Sequence, residues 1–240
     1  MAGDTADIRP EWLVRNSRQA RRFHAAVYVT TGFLFFSGIS LLGEGKPALE
    51  AVLGGHVSAA HWHRWIGFGL VGLSAVVLAL RAPAFRKFLA DSVTFRPVDL
   101  RWFVTYPSFL VRPSRHNPAR HEGHFDPGQR AMNLVIVLSL AVLSVTGIIM
   151  SFPQRLTPMT FAWSVRVHRG ATWVLAGAVG GHVLVASGIL RAYRGVWRAM
   201  HGNGAVRGHL ADRLWPRWTE EQRRSIREDP RSGGCRAGNG

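Results

Sequence analysis

The chain has 240 residues, 47% of them apolar and 18% charged, with 30 Lys+Arg against 14 Asp+Glu and a formal net charge of +16. Ordinary globular chains carry about 25% charged residues, and the wealth of aliphatic and aromatic side chains here excludes a disordered chain. The single cysteine, Cys235, excludes a disulfide-built domain, cysteine-ligated iron–sulfur clusters and C-x-x-C-H attachment of c-type haem within this chain.

Residues 1–24 open polar, as MAGDTADIRPEW, and the first apolar run begins only near residue 25. No small-residue cleavage site follows it, so it reads as an uncleaved first span rather than a signal peptide. Four windows carry no charge: 25–43, 65–80, 131–154 and 170–190. A bilayer-spanning helix needs about 20 mostly apolar residues. The second window is the shortest, but Arg64 and Arg81 flank it and can snorkel to the interfaces. Uncharged windows of this length do not fit the amphipathic helices of a soluble bundle.

The arginines orient these spans. Of the 30 cations, 25 lie in residues 1–24, in the loop 81–130 or in the tail from Arg191 onward. The positive-inside rule therefore places both termini and the long loop in the cytoplasm. The basic balance is a topology signal, and nucleic-acid binding is not expected. Prolines at 83, 97, 107, 113, 118 and 127 prevent the loop from forming one long helix. Within it, DLRWFVTYPSFLVRP mixes aromatics with arginine, which suits a segment lying at the membrane interface. In the tail, TEEQRRSIRE predicts a short helix with Thr219 as N-cap, and the last ten residues are expected to be disordered.

Among the eleven histidines, four stand at span ends or within a span. His182 lies inside the fourth window, where an ionisable side chain is costly and marks a functional site, as a cofactor ligand, a hydrogen-bonded structural residue or a proton relay. His168 lies 14 residues earlier. That interval rotates by about 1400°, about 40° short of four turns, and rises about 21 Å, so the two imidazoles share one face at two depths. His24 opens the first span on the cytoplasmic side, and His63 opens the second on the opposite side. The depths pair His24 with His182 and His63 with His168, enough for two stacked bis-histidine haems in a bundle core. Imidazole suits iron, and two axial histidines leave no open position for oxygen. His61 competes with His63, and His56 competes more weakly. Zinc is a rival for the cluster at 56–63, although no carboxylate or thiol completes a site there. Gly32, Gly38, Gly67, Gly69, Gly72, Gly147, Gly177, Gly180 and Gly181 leave room for a flat macrocycle or for close helix packing. Arg64 and Arg169 beside the outer ligands, and Arg21, Arg22 or Arg130 inside, could pair with haem propionates, with topology charge as the alternative.

The fold expected is an all-α membrane protein, a four-transmembrane-helix bundle enclosing two b haems with both termini cytoplasmic. Its parts are a cytoplasmic N-terminal segment 1–24, a transmembrane cytochrome b domain 25–190 and a basic cytoplasmic tail 191–240.

These residues also resemble a family. Arg22-Phe23-His24 followed by Ser37-Gly38-Ile39-Ser40, then His63-Arg64-Trp65-Ile66-Gly67, are similar to the first and second helices of the gamma subunit of membrane-bound formate dehydrogenase, a di-haem cytochrome b. His124-Phe125-Asp126-Pro127-Gly128-Gln129-Arg130 with Val145-Thr146-Gly147-Ile148-Ile149 resembles its third helix. The 14-residue interval from His168 to His182 and the tail motif Trp215-Pro216-Arg217-Trp218 resemble the rest, so the resemblance runs from about residue 15 to 220. It implies electron flow from a molybdenum or tungsten catalytic alpha subunit, through an iron–sulfur beta subunit, to two haem b and on to a quinone (menaquinone or ubiquinone). Formate oxidation then lies on another subunit, no catalytic residue for it lies in this chain, and the location is the bacterial inner membrane. The family's quinone pocket carries over to His182, Asp126, Gly128 and Gln129. One departure is Asp126-Pro127 where the family often has Asn-Ala; the aspartate can relay a proton or cap the third helix. The cytochrome b subunit of a Ni-Fe hydrogenase or of another molybdoenzyme, a stand-alone di-haem quinol-oxidising cytochrome, and a haem-free anchor or transporter are the competing readings. Against a transporter, no repeated halves or broken mid-membrane helices are apparent.

Overall fold

A computed structural model describes residues 12–42, 47–113, 120–121 and 123–228. The polar start of the chain, Cys235 and the final ten residues lie outside the described residues. In chain order the elements are β1 (Trp12–Val14), α1 (Arg18–Ser40), α2 (Pro47–Val52), α3 (His56–Leu80), α4 (Ala82–Val93), α5 (Pro97–Val111), α6 (Pro127–Met150), α7 (Pro158–Ala186), α8 (Arg198–His201), β2 (Ala205–Arg207), α9 (Gly208–Leu214) and α10 (Pro216–Glu228). Single 3-10 turns sit at Pro153–Arg155 and Arg191–Tyr193.

Among the described residues three helices, α1, α3 and α6, are long and apolar enough to cross a membrane. Residues 170–186 of the fourth expected window lie in α7, which runs for 29 residues but is diluted by Arg166, Arg169, His182 and four glycines; the last four residues of the window lie beyond the helix. The helix starts are written locally. Ser17 opens α1, its Oγ accepting from the Ala20 N–H at 3.2 Å and its carbonyl from the Arg21 N–H at 3.1 Å. Thr157 opens α7 in the same manner, with Pro158 in the first turn. Polar caps of this kind satisfy donors that have no intrahelical partner.

The chain divides into two compact units: residues 22–89 with 133–180, and residues 1–21, 90–132 and 181–240. The first unit is inside-out by the standard of a water-soluble protein. Its buried side chains include Ser37, Ser40, Ser139, Thr146 and Ser164, whereas Trp65 is 67% exposed and Leu138 63% exposed. Outward apolar bulk and inward small hydroxyls are the arrangement demanded when the solvent is hydrocarbon.

The second unit has an ordinary core: Leu13, Phe109, Tyr193, Val206, Leu210, Leu214, Trp215 and Trp218. It is closed by antiparallel pairing of β1 with β2, Leu13 opposite Val206, a pairing for which the short runs gave no periodic signal. Gly204 makes the join possible. Its φ is +90°, and a Cβ there would lie 2.5 Å from the Asn16 carbonyl oxygen, while its own carbonyl accepts from the Arg15 and Asn16 N–H groups at 2.8 and 3.1 Å. The Arg21 guanidinium donates to the Gly202 carbonyl.

The long loop is helical on both sides of residues 94–96, as α4 and α5, with Pro107 accommodated inside α5. One face of α5 buries Asp99, Trp102 and Phe109, and the other exposes Leu100, Phe103, Val104 and Val111. The helix is therefore two-faced, with an apolar stripe left outside the core. Thr219 is a correction to the expected N-cap. The tail helix begins earlier, at Pro216, so Thr219 lies inside it, fully buried, and its hydroxyl donates to the Trp215 carbonyl at 2.9 Å.

Candidate functional site

In the first unit, α3 and α7 bring His63 and His168 together, with ring centroids 6.3 Å apart and planes at 69°. Each ring is held by a hydroxyl from a different helix. His63 Nδ1 lies 2.9 Å from Ser37 Oγ of α1, and His168 Nδ1 lies 2.8 Å from Thr146 Oγ1 of α6.

The tautomers follow from counting protons. A hydroxyl has one hydrogen to donate. Thr146 spends it on the Val142 carbonyl at 2.7 Å, and Ser37 on the Leu34 carbonyl at 3.3 Å. Each hydroxyl must therefore accept from the imidazole, so both rings carry the proton on Nδ1. The lone pair of each Nε2 is then the one left for a metal, the arrangement in which the outer nitrogen fixes ring orientation. An imidazole nitrogen lies about 2.0 Å from a metal it binds, so two rings sharing one ion through opposed nitrogens have centres about 6 Å apart. The observed spacing meets that value. Gly38 and Gly147 supply the clearance: a Cβ at Gly38 would sit 3.2 Å from His63 Cε1, and one at Gly147 3.6 Å from His168 Cε1.

His61 is exposed, so of the two competitors it is His63 that packs against the hydroxyl. His56 is exposed and pairs with Glu50 at 3.6 Å. Among the described residues no three His, Cys, Asp or Glu side chains gather as a metal-ion cluster, and the zinc rival gains no support. In the same unit, His24 stands one turn from Tyr28, ring centroids 5.7 Å apart. Arg64 and Arg169 are exposed.

The second unit holds His182 and the residues expected around a quinone. Gly181 lies against Met132, a Cβ there being 3.2 Å from Met132 Cε, and His182 interacts electrostatically with His201 of α8. This sets His182 beside the first turns of α6. Asp126 caps that helix: its Oδ1 accepts from the Gln129 N–H at 2.8 Å and its carbonyl from the Arg130 N–H at 2.9 Å. Gly128 is required by Trp102, whose ring would lie 2.8 Å from a Cβ. Arg130 is not free for a propionate. It forms a buried two-bond pair with Asp99 at 2.9 and 3.0 Å and donates to the Thr94 and Phe125 carbonyls.

Four neighbours of Asp126 were not anticipated: Arg15, His121, Tyr106 and Tyr193. Arg15 lies between Trp215 and Trp218, 4.5 and 4.4 Å from the ring centroids, and donates to the His124 carbonyl at 3.0 Å. Burial there pushes its guanidinium down to about 10 against the pull of Asp126. His121 is buried, its Nε2 2.9 Å from the Leu214 carbonyl oxygen. Tyr106 and Tyr193 share a hydrogen bond of 3.0 Å. Burial raises the Asp126 carboxyl above the ordinary range, with the Gln129 N–H, His121, Arg130 and Arg15 opposing it. The Trp215-Pro216-Arg217-Trp218 motif carried a signal for the arginine clamp, but nothing in the chain pointed to its partner 200 residues away.

A helical bundle that turns its apolar side outward and opposes two metal-ready imidazoles in its interior defines a membrane-embedded b-type cytochrome. The profile of prokaryotic cytochrome b561 matches residues 15–203, and the chain belongs to that family. Its members bind b haem, which makes this chain a membrane cytochrome of electron transport. Among curated proteins none matches the chain.

Proposed function

We propose that this cytochrome is the membrane subunit of a respiratory formate dehydrogenase, carrying electrons from an iron–sulfur subunit through two bis-histidine b haems to a quinone. The observation that carries the haem reading is the His63–His168 pair, 6.3 Å apart with both Nδ1 atoms engaged by hydroxyls. The formate assignment rests on the ordered motif resemblance from the first helix to the Trp-Pro-Arg-Trp tail.

Haem iron supplies reversible one-electron transfer. The chain's own residues do the rest. His63 and His168 would hold one iron, with Ser37 and Thr146 orienting them and Gly38 and Gly147 giving them clearance. His24 and His182 would hold a second iron, an assignment that rests on the helical spacing and the family resemblance alone. His182, Asp126, Gly128 and Gln129 are assigned to the quinone, and the chain's share of catalysis is quinone reduction, with formate oxidised on a molybdenum or tungsten subunit. The location proposed is the inner membrane with both termini cytoplasmic.

The test is the haem-to-protein ratio of the detergent-purified protein, with reduced-minus-oxidised spectra of the His24, His63, His168 and His182 alanine variants. Two b haems per chain, lost in the pairs 63/168 and 24/182, is the expected result. A haem-free wild-type protein that remains folded would sink the proposal. Copurification with a large molybdenum or tungsten subunit that oxidises formate assigns the complex to formate dehydrogenase; such a subunit without formate activity assigns it to another molybdoenzyme, and copurified nickel to a hydrogenase.

A further inference from the structure

Helix α5 turns two different surfaces to its surroundings. Leu100, Phe103, Val104, Pro107 and Val111 fall within about 100° of arc on a 3.6-residue turn. All five are exposed, Val104 at 80%. Val93 and Phe95, just ahead of the helix, are exposed as well. An apolar stripe left outside the core marks an interaction surface.

The opposite arc is committed. Asp99 holds Arg130 at the start of α6 through bonds of 2.9 and 3.0 Å. Trp102 lies against Gly128, where a Cβ would come within 2.8 Å of its ring, and Phe109 belongs to the core. The helix cannot roll to bury its outer stripe without breaking a buried ion pair, which is costly.

Charge and connectivity select what covers the stripe. Residues 81–113 carry six cations, Arg81, Arg86, Lys87, Arg96, Arg101 and Arg112, all exposed. The two acids of the same stretch are withdrawn, Asp91 half-buried and Asp99 buried. The surface around the stripe is thus cationic, and a second copy of this chain would bring like charges together. The segment also joins two helices long and apolar enough to cross a membrane, α3 ending at Leu80 and α6 beginning at Pro127. Tethered to a membrane-spanning helix on either side, α5 stays within reach of the bilayer surface. An apolar face flanked by arginine suits a helix lying in the headgroup layer. Anionic lipids attract such cations, and guanidinium pairs well with phosphate.

We infer that the outer stripe of α5 is seated in an anionic phospholipid leaflet, with Leu100, Phe103, Val104 and Val111 at the headgroup–acyl boundary and Arg101 and Arg112 on lipid phosphates. The Asp99–Arg130 pair and the Trp102–Gly128 contact then fasten the first turns of α6 to a helix fixed at the membrane surface.

The experiment uses the whole protein, with Cys235→Ser removing its one native thiol. A nitroxide is attached at Val104→Cys or, for comparison, at Ser225→Cys, an exposed position of α10. The protein is reconstituted into phosphatidylcholine liposomes with and without phosphatidylglycerol. Power saturation then compares collisions with oxygen, which concentrates in lipid, and with a water-soluble nickel chelate. Unchanged haem content and circular dichroism check the fold of each variant. With phosphatidylglycerol present, the oxygen-to-nickel collision ratio at Val104 should exceed that at Ser225 severalfold. It should fall when phosphatidylglycerol is left out, and again when Arg101→Gln and Arg112→Gln are combined. A nickel-accessible Val104 in these liposomes would overturn the inference and leave the face for a soluble partner. Dipolar broadening at Val104 that disappears on dilution with unlabelled protein would overturn it in favour of a second copy. A ratio indifferent to phosphatidylglycerol and to both arginines would overturn the anionic-lipid assignment.

Discussion

Two hydroxyl groups decide the tautomers of two histidines that stand 105 residues apart in the chain. Thr146→Val keeps the shape and removes the acceptor for His168 Nδ1–H. An imidazole that loses such a partner is a less basic ligand. On the proposed ligation, the midpoint potential of the haem held by His63 and His168 should therefore rise, as read by redox titration of the absorption bands, and Thr146→Ser should restore it. Ser37→Ala should act on the same haem through His63. Asp126 is a second residue-scale case. Asp126→Ala removes the cap on Gln129 and should cost about 1 kcal/mol of stability, which Asp126→Asn should retain. Burial holds the Asp126 carboxyl protonated to higher pH than in the unfolded chain, so the folded state binds the extra proton there. Stability from this group is then greatest at low pH and falls as pH rises from the ordinary carboxylate range through the raised value. Thermal melting against pH should show that slope in the wild type and lose it in Asp126→Asn.

At the scale of elements, the strap formed by β1 and β2 ties the start of the described chain to the tail. It rests on Gly204, where a side chain meets both an unfavourable φ and the Asn16 carbonyl. Gly204→Ala should destabilise this unit by about 1–3 kcal/mol, seen as a lower melting temperature by tryptophan fluorescence, with the His63–His168 haem signature kept. The contrast between the units has one physical origin. Where α1, α3, α6 and α7 present large apolar side chains outward, packing is left to serines, threonines and glycines. Where β1, α5, α9 and α10 meet, aromatics and leucines are buried as in any soluble domain.

For the whole molecule, the spans and the distribution of arginine set the expected topology. The single cysteine offers a direct check. In intact cells Cys235 should resist a membrane-impermeant maleimide and should react once the inner membrane is opened. Labelling in intact cells would place the C-terminus outside and reverse the expected orientation.

The spans at α1, α3 and α6, the helical loop stretches broken at proline and the spacing of His168 and His182 are written in local pattern, because hydropathy, proline chemistry and the 3.6-residue turn act over a few residues. So were the His63 and His168 positions, though two competitors stood close to His63. Which histidine packs inward, that Ser37 and Thr146 bond the His63 and His168 rings, and that Arg15 passes between Trp215 and Trp218 depend on contacts between residues 22 to 203 positions apart. No local rule encodes such pairings. Only the folded chain could decide them, because a hydroxyl, an imidazole or a guanidinium gains its role from the partner that tertiary packing brings within hydrogen-bonding or stacking distance.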